Sequence, residues 1–193
     1  MTGGPGAGKT AVLEIIRRAL CPHVDVLPES AGILFRGGFP RGHTVVMRRA
    51  AQRAIYHVQR ALEATARPTS ALVLCDRGTV DGFAYWPGPE DLFTALGTTL
   101  ADELARYDAV IHLRTPPLAE GYDDHNPLRP ETADQAAAID ARIAHAWAAH
   151  PRRFEVAAAP DFLDKARRAL AIVRDQLPAC CRPLRSACVA RTA

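Results

Sequence analysis

Residues 3–10 read Gly-Gly-Pro-Gly-Ala-Gly-Lys-Thr, which matches the pattern G-x-x-x-x-G-K-[ST] of a phosphate-binding loop. Glycines allow successive backbone N–H groups to turn inward around phosphate oxygens, and the following helix directs its positive N-terminal end at the same oxygens. The lysine ammonium suits the β- and γ-phosphates, and the threonine hydroxyl suits Mg²⁺. The pattern therefore predicts a nucleotide site made by Gly3, Gly4, Pro5, Gly6, Ala7, Gly8, Lys9 and Thr10.

The lysine of this loop is unusual for the composition. Of the 24 basic residues, only Lys9 and Lys165 are lysines. A planar guanidinium cannot replace a compact ammonium without a change of geometry, so a lysine here favours a phosphate contact over a chance glycine-rich turn. We expect Lys9 to act both in nucleotide binding and in catalysis.

Two candidate strands are followed by acidic residues. The apolar run 72–75 ends in Asp76, and the run 24–27 leads to Glu29. Parallel strands bring their carboxyl ends to one edge of a sheet, so Asp76 is predicted to hold Mg²⁺ directly or through water. The alternative is an aspartate that only ends a strand at a turn. Glu29 is predicted to orient or deprotonate an acceptor hydroxyl, or to lie in the outer shell of the metal; the alternative is a helix-capping acid before Ser30.

Three arginines are candidates for phosphate contacts. Arg77 follows Asp76 and could reach a transferred phosphate; the alternative is a surface arginine in a turn. The proline-rich segment 115–130 would suit a mobile lid, with Arg114 and Arg129 binding the phosphates. The alternative is a proline-stiffened connection in which Arg129 pairs with Glu131.

Composition and charge exclude several classes of protein. The chain has 193 residues, 48% of them hydrophobic, which suits one packed domain, and it has no apolar run long enough to predict a membrane span. The net charge is +3, and the three basic residues of segment 178–193 account for it, so residues 1–177 are formally neutral. A neutral body argues against a broad nucleic-acid interface. No oligomeric state is predicted.

The five cysteines are odd in number and irregularly spaced, which predicts reduced thiols in a cytoplasmic protein. The histidines at positions 43, 57, 112, 125, 145 and 150 are not paired with cysteines at metal-ligand spacing. Cys180, Cys181 and Cys188 form no C-x-x-C pair, so the residues predict no zinc site.

Alternating elements predict an α/β fold with a parallel sheet covered on both faces. Apolar runs predict strands at 24–27, 71–75, 109–113 and 153–157. Helical spacing and breakers predict helices at 9–20, 30–35, 43–66, 79–85, 90–96, 100–107, 132–150 and 161–176. One domain over 1–177 with a lid near 115–130 is expected, followed by a basic, cysteine-containing tail, 178–193, that is poorly ordered.

The loop comes unusually early in the chain. A phosphate-binding loop normally follows a buried strand, and only Met1 and Thr2 precede Gly3. Burial of four strand residues stabilises a domain by roughly 6–12 kcal/mol, comparable with a typical total stability. We therefore expect a misassigned start, with an upstream apolar stretch of about five residues in the native protein.

Four segments carry a family resemblance. These are Gly3–Thr10, Leu-Pro-Glu-Ser-Ala at 27–31, Leu-Cys-Asp-Arg-Gly-Thr-Val-Asp-Gly-Phe-Ala-Tyr at 74–85 and Asn-Pro-Leu-Arg-Pro-Glu at 126–131. Together they resemble AAA-domain ATPases related to the ribosylnicotinamide kinase domain of NadR, over roughly residues 3–177. The resemblance implies a three-layer P-loop NTPase with strand order 2-3-1-4-5, whose first, central strand is largely missing here, and it implies ATP and Mg²⁺ as ligands. It places Asp81 and Tyr85 in the family's D-x-x-x-Y stretch.

Two functions remain open from the sequence. The first is a Mg²⁺-dependent kinase that transfers the γ-phosphate of ATP to a hydroxyl of a nucleoside-like or other small acceptor, with Lys9, Glu29, Arg77 and Arg129 as catalytic residues. The second is a regulatory ATPase whose nucleotide state controls binding to a protein or an anionic lipid surface. The absence of an N-K-x-D guanine motif makes a GTPase less favoured.

Overall fold

The computed structural model of the protein describes residues 1–66, 69–116, 132–159 and 161–182, and the side chain of Cys180 is not among the described parts. The strands are β1 (Val24–Leu27), β2 (Leu72–Cys75), β3 (Val110–Leu113) and β4 (Arg153–Val156). The helices are α1 (Lys9–Ala19), α2 (Ser30–Arg36), α3 (Val45–Ala64), α4 (Leu92–Leu96), α5 (Leu100–Leu104), α6 (Ala133–Ala146) and α7 (Phe162–Asp175), with 3₁₀-helices at Thr79–Tyr85 and Ala179–Cys181.

The strands form two parallel pairs. In one pair β1 lies beside β2, with Val24 opposite Leu72, and in the other β3 lies beside β4, with Val110 opposite Arg153. The sequence predicted all four strands to within one residue at each end, because each is a short apolar run between helical segments. The parallel α/β architecture is confirmed, whereas the five-stranded order 2-3-1-4-5 stays a prediction.

Residues 1 and 2 bond to both pairs. The amino group of Met1 donates to the Cys75 carbonyl oxygen (2.8 Å), and the Arg77 N–H donates to the Met1 carbonyl oxygen (2.9 Å). On the other side, the Thr2 N–H donates to the Ile111 carbonyl oxygen (2.8 Å), and Thr2 forms a parallel bridge with His112. A cavity of about 690 Å³ lies between the two pairs. This segment therefore connects the strand pairs directly before the glycine-rich loop.

Two hydrophobic clusters hold the helices against the strands. One joins α1 and α7 to residues from all four strands, with Ile16, Leu113 and Val173 fully buried. The other joins the 3₁₀-helix Thr79–Tyr85, α4, α5 and α6 around Trp147. Helices therefore pack in two separate clusters, as expected when a sheet is buried on both faces.

Several predicted helices are shorter or different in type. The segment 79–85 is a 3₁₀-helix with Gly82 in its middle, where glycine disfavours the α-helix. Helix α4 begins only after Asp91, whose side chain caps it, and is followed by Gly97 in the left-handed conformation (φ 70°). Helix α5 begins at Leu100 as predicted, after the capping Thr99, but ends early at Leu104. Among the helices that the structure describes, none could cross a membrane.

The predicted tail and lid lie mostly outside the described residues, and both stay predictions. Residues 179–181 form a 3₁₀-helix, and Cys181 is buried. Residues 183–193 lie outside the described part of the chain. Of the predicted lid, only Thr115 and Pro116 are described, so the lid itself and Arg129 are outside the described residues.

Candidate functional site

The glycine-rich loop is shaped by positive backbone angles and close neighbours. Gly6 and Gly8 have φ 76° and 82°, a conformation that other residues rarely adopt. A Cβ on Gly3 would lie 2.1 Å from the Leu113 carbonyl oxygen, and one on Gly8 would lie 2.9 Å from the ring of Phe162. Gly8 is also the N-cap of α1 and makes no side-chain cap, so the first turn of α1 presents its N–H groups to the loop. This geometry is suited to phosphate binding.

Lys9 lies inside the turn of the loop. Its ammonium donates to the carbonyl oxygens of Gly3 (2.8 Å) and Gly4 (3.0 Å), and the residue is buried. Burial, followed by the positive charge of Arg77, lowers the pKa of Lys9 to about 7, although Asp76 and other nearby carboxylates oppose the shift. An arriving phosphate would reverse this effect, because an anion stabilises the protonated amine.

Thr10 and Asp76 form a pair that fits a Mg²⁺ ion. The Thr10 hydroxyl donates to Asp76 Oδ2 (3.1 Å), and Asp76 Oδ1 is buried with no hydrogen-bond partner among the described residues. Burial raises the pKa of Asp76, and Glu29 adds to the increase, whereas Lys9 opposes it. A hydroxyl oxygen and a carboxylate oxygen are hard ligands of the type Mg²⁺ binds, so these two predicted metal ligands have suitable positions and chemistry.

Arg77 is held inside the site rather than exposed in a turn. Its Nε donates to Glu29 Oε1 (2.7 Å), and its Nη1 donates to Asp81 Oδ2 (3.0 Å) and to the Gly3 carbonyl oxygen (3.2 Å). Burial alone would lower the pKa of Arg77, but Tyr85, Asp81 and Glu29 raise it. Its backbone has φ 76°, which is strained for a residue with a side chain. Arg77 thus links the loop to two acids.

Glu29 occupies the N-cap position of α2 but makes no side-chain cap. Its side chain is 36% exposed and forms the ion pair with Arg77 through Oε1. The capping alternative is therefore wrong for this carboxylate. Because β1 and β2 are parallel neighbours, Glu29 lies at the same sheet edge as Asp76, where the sequence predicted it.

Asp140 is a buried anchor of the loop that the sequence analysis missed. Its Oδ1 accepts hydrogen bonds from the Gly4 N–H (2.8 Å) and pairs with His112 Nε2 (2.8 Å). Burial would raise the pKa of Asp140, but the His112 and Gly4 hydrogen bonds hold it below its usual value. Since Asp140 takes the Gly4 N–H, the carboxylate positions the start of the loop. The only sequence signal was an acid on the inner face of a helix.

Arg114 belongs to this anchor in the structure. Its Nε pairs with Asp140 Oδ2 (3.2 Å) and more weakly with Glu155 (3.7 Å). The described contacts therefore place Arg114 behind the loop, and its predicted phosphate contact stays a prediction. The neighbouring Thr115 hydroxyl donates to the Pro5 carbonyl oxygen (3.1 Å), which fixes another point of the loop.

Lys165 is a second missed anchor. Its ammonium donates to the carbonyl oxygens of Ala7 (2.9 Å) and Arg114 (2.5 Å) from the buried face of α7. Burial lowers the pKa of Lys165 to about 8, and Asp140 opposes the shift. Both lysines of the chain thus bind carbonyl oxygens of the loop. Lys9 belongs to the loop itself, and Lys165 reaches it from α7.

Asp81 is a buried acid that holds Arg77 and packs against the core. Its carboxylate accepts from the Thr2 hydroxyl (2.7 Å), from Trp147 Nε1 (2.7 Å) and from Arg77, and it is almost fully buried. Tyr85 lies with its ring 5.6 Å from the Arg77 guanidinium carbon. The D-x-x-x-Y stretch therefore supports Arg77 and packs the core.

Comparison with known proteins agrees with this geometry. A search of curated proteins gave no match. The family model of the AAA domain matches residues 1–165, which include the glycine-rich loop, Asp76 and Asp140. The chain therefore belongs to the AAA domain family and is a P-loop protein of the nucleotide-binding type.

Proposed function

We propose that this protein is a Mg²⁺-dependent phosphotransferase that moves the γ-phosphoryl group of ATP to a hydroxyl of a small acceptor. The observation that carries the proposal is the position of Glu29. This partly exposed carboxylate lies at the same sheet edge as Asp76 and is held by Arg77, which also contacts the loop carbonyl of Gly3. A carboxylate beside the phosphate loop is suited to orient the attacking hydroxyl in phosphoryl transfer.

Glu29 binds Arg77 through one of its two carboxylate oxygens. Oε1 accepts from Arg77 Nε at 2.7 Å, which fixes the orientation of the carboxylate. We assign Oε2 the role of hydrogen-bond acceptor for the substrate hydroxyl. Because the bond to Arg77 fixes this carboxylate, Glu29 contributes mainly by orienting the hydroxyl and accepts its proton late in the transfer.

The remaining residues act on the nucleotide. Lys9 binds the β- and γ-phosphates, and the N-terminal turn of α1 binds the phosphate oxygens between them. Thr10 and Asp76 would hold Mg²⁺, which neutralises charge on the phosphate oxygens when bound. Arg77 holds Glu29 at a fixed position relative to Gly3, because it binds both. The positive charges of Arg77 and Arg129 stabilise the negative charge that develops on the transferred phosphoryl group.

A phosphoryl-transfer screen tests the proposal. ATP·Mg would be incubated with nucleosides and small alcohols, and phosphorylated products would be identified by mass spectrometry. With the acceptor found, Glu29→Gln should lower turnover about 100-fold or more while ATP affinity is retained, and Lys9→Ala should abolish transfer. Glu14→Gln is the matched control, because Glu14 is a partly exposed glutamate of α1 that pairs with Arg17 outside the site.

Two results would contradict the proposal. Unchanged turnover of Glu29→Gln with its acceptor would remove Glu29 from the reaction. Slow ADP formation at the same rate with and without every acceptor would instead favour a regulatory ATPase, in which the nucleotide state controls a partner.

A further inference from the structure

Cys21, His23 and Cys181 converge outside the nucleotide site. Cys21 and His23 lie in the connection between α1 and β1, and Cys181 ends the 3₁₀-helix after α7. The Cys21 and Cys181 sulfurs are 3.8 and 3.6 Å from the same ring atom, His23 Nδ1, and the three side-chain atoms all lie within 4.8 Å of one another. From this geometry we propose that the three side chains bind a Zn²⁺ ion.

The two sulfur–nitrogen distances are close to those of a tetrahedral zinc site. With Zn–S bonds of about 2.3 Å and Zn–N bonds of about 2.0–2.1 Å, neighbouring sulfur and nitrogen ligands lie about 3.5 Å apart. The observed sulfur–nitrogen distances of 3.6 and 3.8 Å exceed this value by only a few tenths of an ångström. The ligands can therefore close around an ion by small side-chain movements.

The two cysteine sulfurs face the same ring nitrogen, His23 Nδ1. A neutral imidazole Nδ1 has one lone pair, so it accepts one thiol proton well, yet two sulfurs are directed at it. A metal ion resolves this, because it replaces the thiol protons and binds all three atoms at once; two protons leave as the thiolates form. Thiolate and imidazole ligands favour Zn²⁺ over Mg²⁺ or Ca²⁺.

The proposed metal site is buried on the side of its sulfur ligands and accessible on the side of its histidine. Cys21 and Cys181 are only 2% and 1% exposed, whereas His23 is more accessible. Three protein ligands leave a fourth position on the His23 side, which we assign to water. The ion would be surrounded by protein on its sulfur side.

The site joins two elements that carry the nucleotide loop. Cys21 follows α1, which begins at Lys9, and Cys181 follows α7, which carries Lys165 and its bond to the Ala7 carbonyl. Helices α1 and α7 share one hydrophobic cluster. Zinc would tie the ends of these helices together and stabilise the frame of the loop without touching the phosphates.

Metal binding by the full-length reduced protein tests the site. A chain with Cys180→Ser and Cys188→Ser, which leaves Cys21, Cys75 and Cys181 as its cysteines, should bind one Zn²⁺ per chain by elemental analysis. Co²⁺ in its place should give the near-ultraviolet absorption of cobalt–thiolate bonds. At a zinc concentration 100 times Kd, Tm should rise by about 5–10 °C.

Single variants in that background locate the ligands. Cys21→Ala and His23→Gln should each weaken zinc binding at least tenfold and reduce or remove the cobalt–thiolate band. Cys75→Ser is the matched control, because Cys75 is a partly buried thiol outside the cluster, and it should bind as its parent does. Since His23 is not fully buried, His23→Gln keeps the test valid if Cys21→Ala fails to fold.

Three results would overturn the proposal. The first is no stoichiometric zinc in the Cys180→Ser, Cys188→Ser chain. The second is zinc binding that is unchanged by both Cys21→Ala and His23→Gln. The third is a Cys21–Cys181 disulfide that dissolved oxygen, taking up the two electrons and the two thiol protons, forms even in the presence of excess zinc once the reductant is removed, which would mean that the cluster is a redox pair.

Discussion

We predict that the affinity for ATP·Mg depends on pH through the charge of Lys9. Its pKa is lowered to about 7, first by burial and then by Arg77, whereas the ordinary value is 10.5. Above pH 7 the free protein therefore holds a neutral Lys9. ATP binds the charged form better, so binding at alkaline pH requires uptake of a proton. The affinity for ATP·Mg is expected to fall as pH rises.

The size of the effect follows from the pKa. At pH 8 about 0.9 of the free chains would have a neutral Lys9, so binding should take up about 0.9 proton. Between pH 7.5 and pH 9 the fraction of protonated free protein falls, and Kd should rise about 20-fold. A phosphate monoester has its second ionisation near pH 6, so the charge of the nucleotide changes little in this range.

Isothermal titration calorimetry in buffers of different ionisation enthalpy measures both quantities at saturating Mg²⁺. Lys9→Arg should bind more weakly but with little pH dependence, because arginine stays charged throughout. Lys165, whose pKa is about 8, is the nearby control, and Lys165→Met should retain the slope. Absence of proton uptake, or an equal slope in Lys9→Arg, would refute the assignment.

The stability of the free protein responds to pH in the opposite direction. Between pH 7 and 10.5 the unfolded chain binds more protons at Lys9 than the native chain does. Stability should therefore increase with pH across this range through Lys9, while ATP affinity decreases.

Three substitutions test other parts of the site. Asp76→Asn removes a buried carboxylate whose pKa is raised, so thermal melting should show an equal or higher Tm, while a Mg²⁺ titration shows ATP binding weakened at least tenfold. Gly4→Ala places a Cβ 2.5 Å from the Thr115 hydroxyl, and denaturant unfolding should show a loss of about 1–3 kcal/mol with weaker ATP binding. Trp147→Phe removes the donor to buried Asp81 and should lower the free energy of unfolding by about 1.5–3 kcal/mol; an unchanged value would exclude that bond as a stabilising contact.

Local patterns carried most of the predictable information. The phosphate loop is contiguous, and its glycines are required by backbone angles that the sequence implies directly. The strands were found because they are buried apolar runs, and Asp76 was found because it directly follows one. Glu29 was placed at the correct edge for the same reason, since parallel strands end together.

Long-range partners could not be predicted in this way. Gly4 and Asp140 are separated by 136 residues, and both Lys165–Ala7 and Cys181–His23 by 158. Nothing in the local sequence distinguishes Asp140 from other polar residues on helices with a buried face, and Lys165 differs only in being one of the two lysines of the chain. Cys21-x-His23 also lacks a spacing that indicates metal binding by itself, because its third member comes from the other end of the fold.

Asp140 and Lys9 both contact the glycine-rich loop, but their charges respond differently to pH. Hydrogen bonds from His112 and Gly4 hold the pKa of Asp140 below its usual value, so Asp140 stays ionised across the neutral and alkaline range, and its stabilising effect is lost only as pH falls into the acid range. Lys9, by contrast, changes charge near neutrality. A pH change between 7 and 9 should therefore alter how tightly the loop binds phosphate while the Gly4 anchor is retained. Lys9 changes charge in this pH range because burial lowers its pKa, whereas Asp140 stays ionised because its hydrogen bonds lower its pKa.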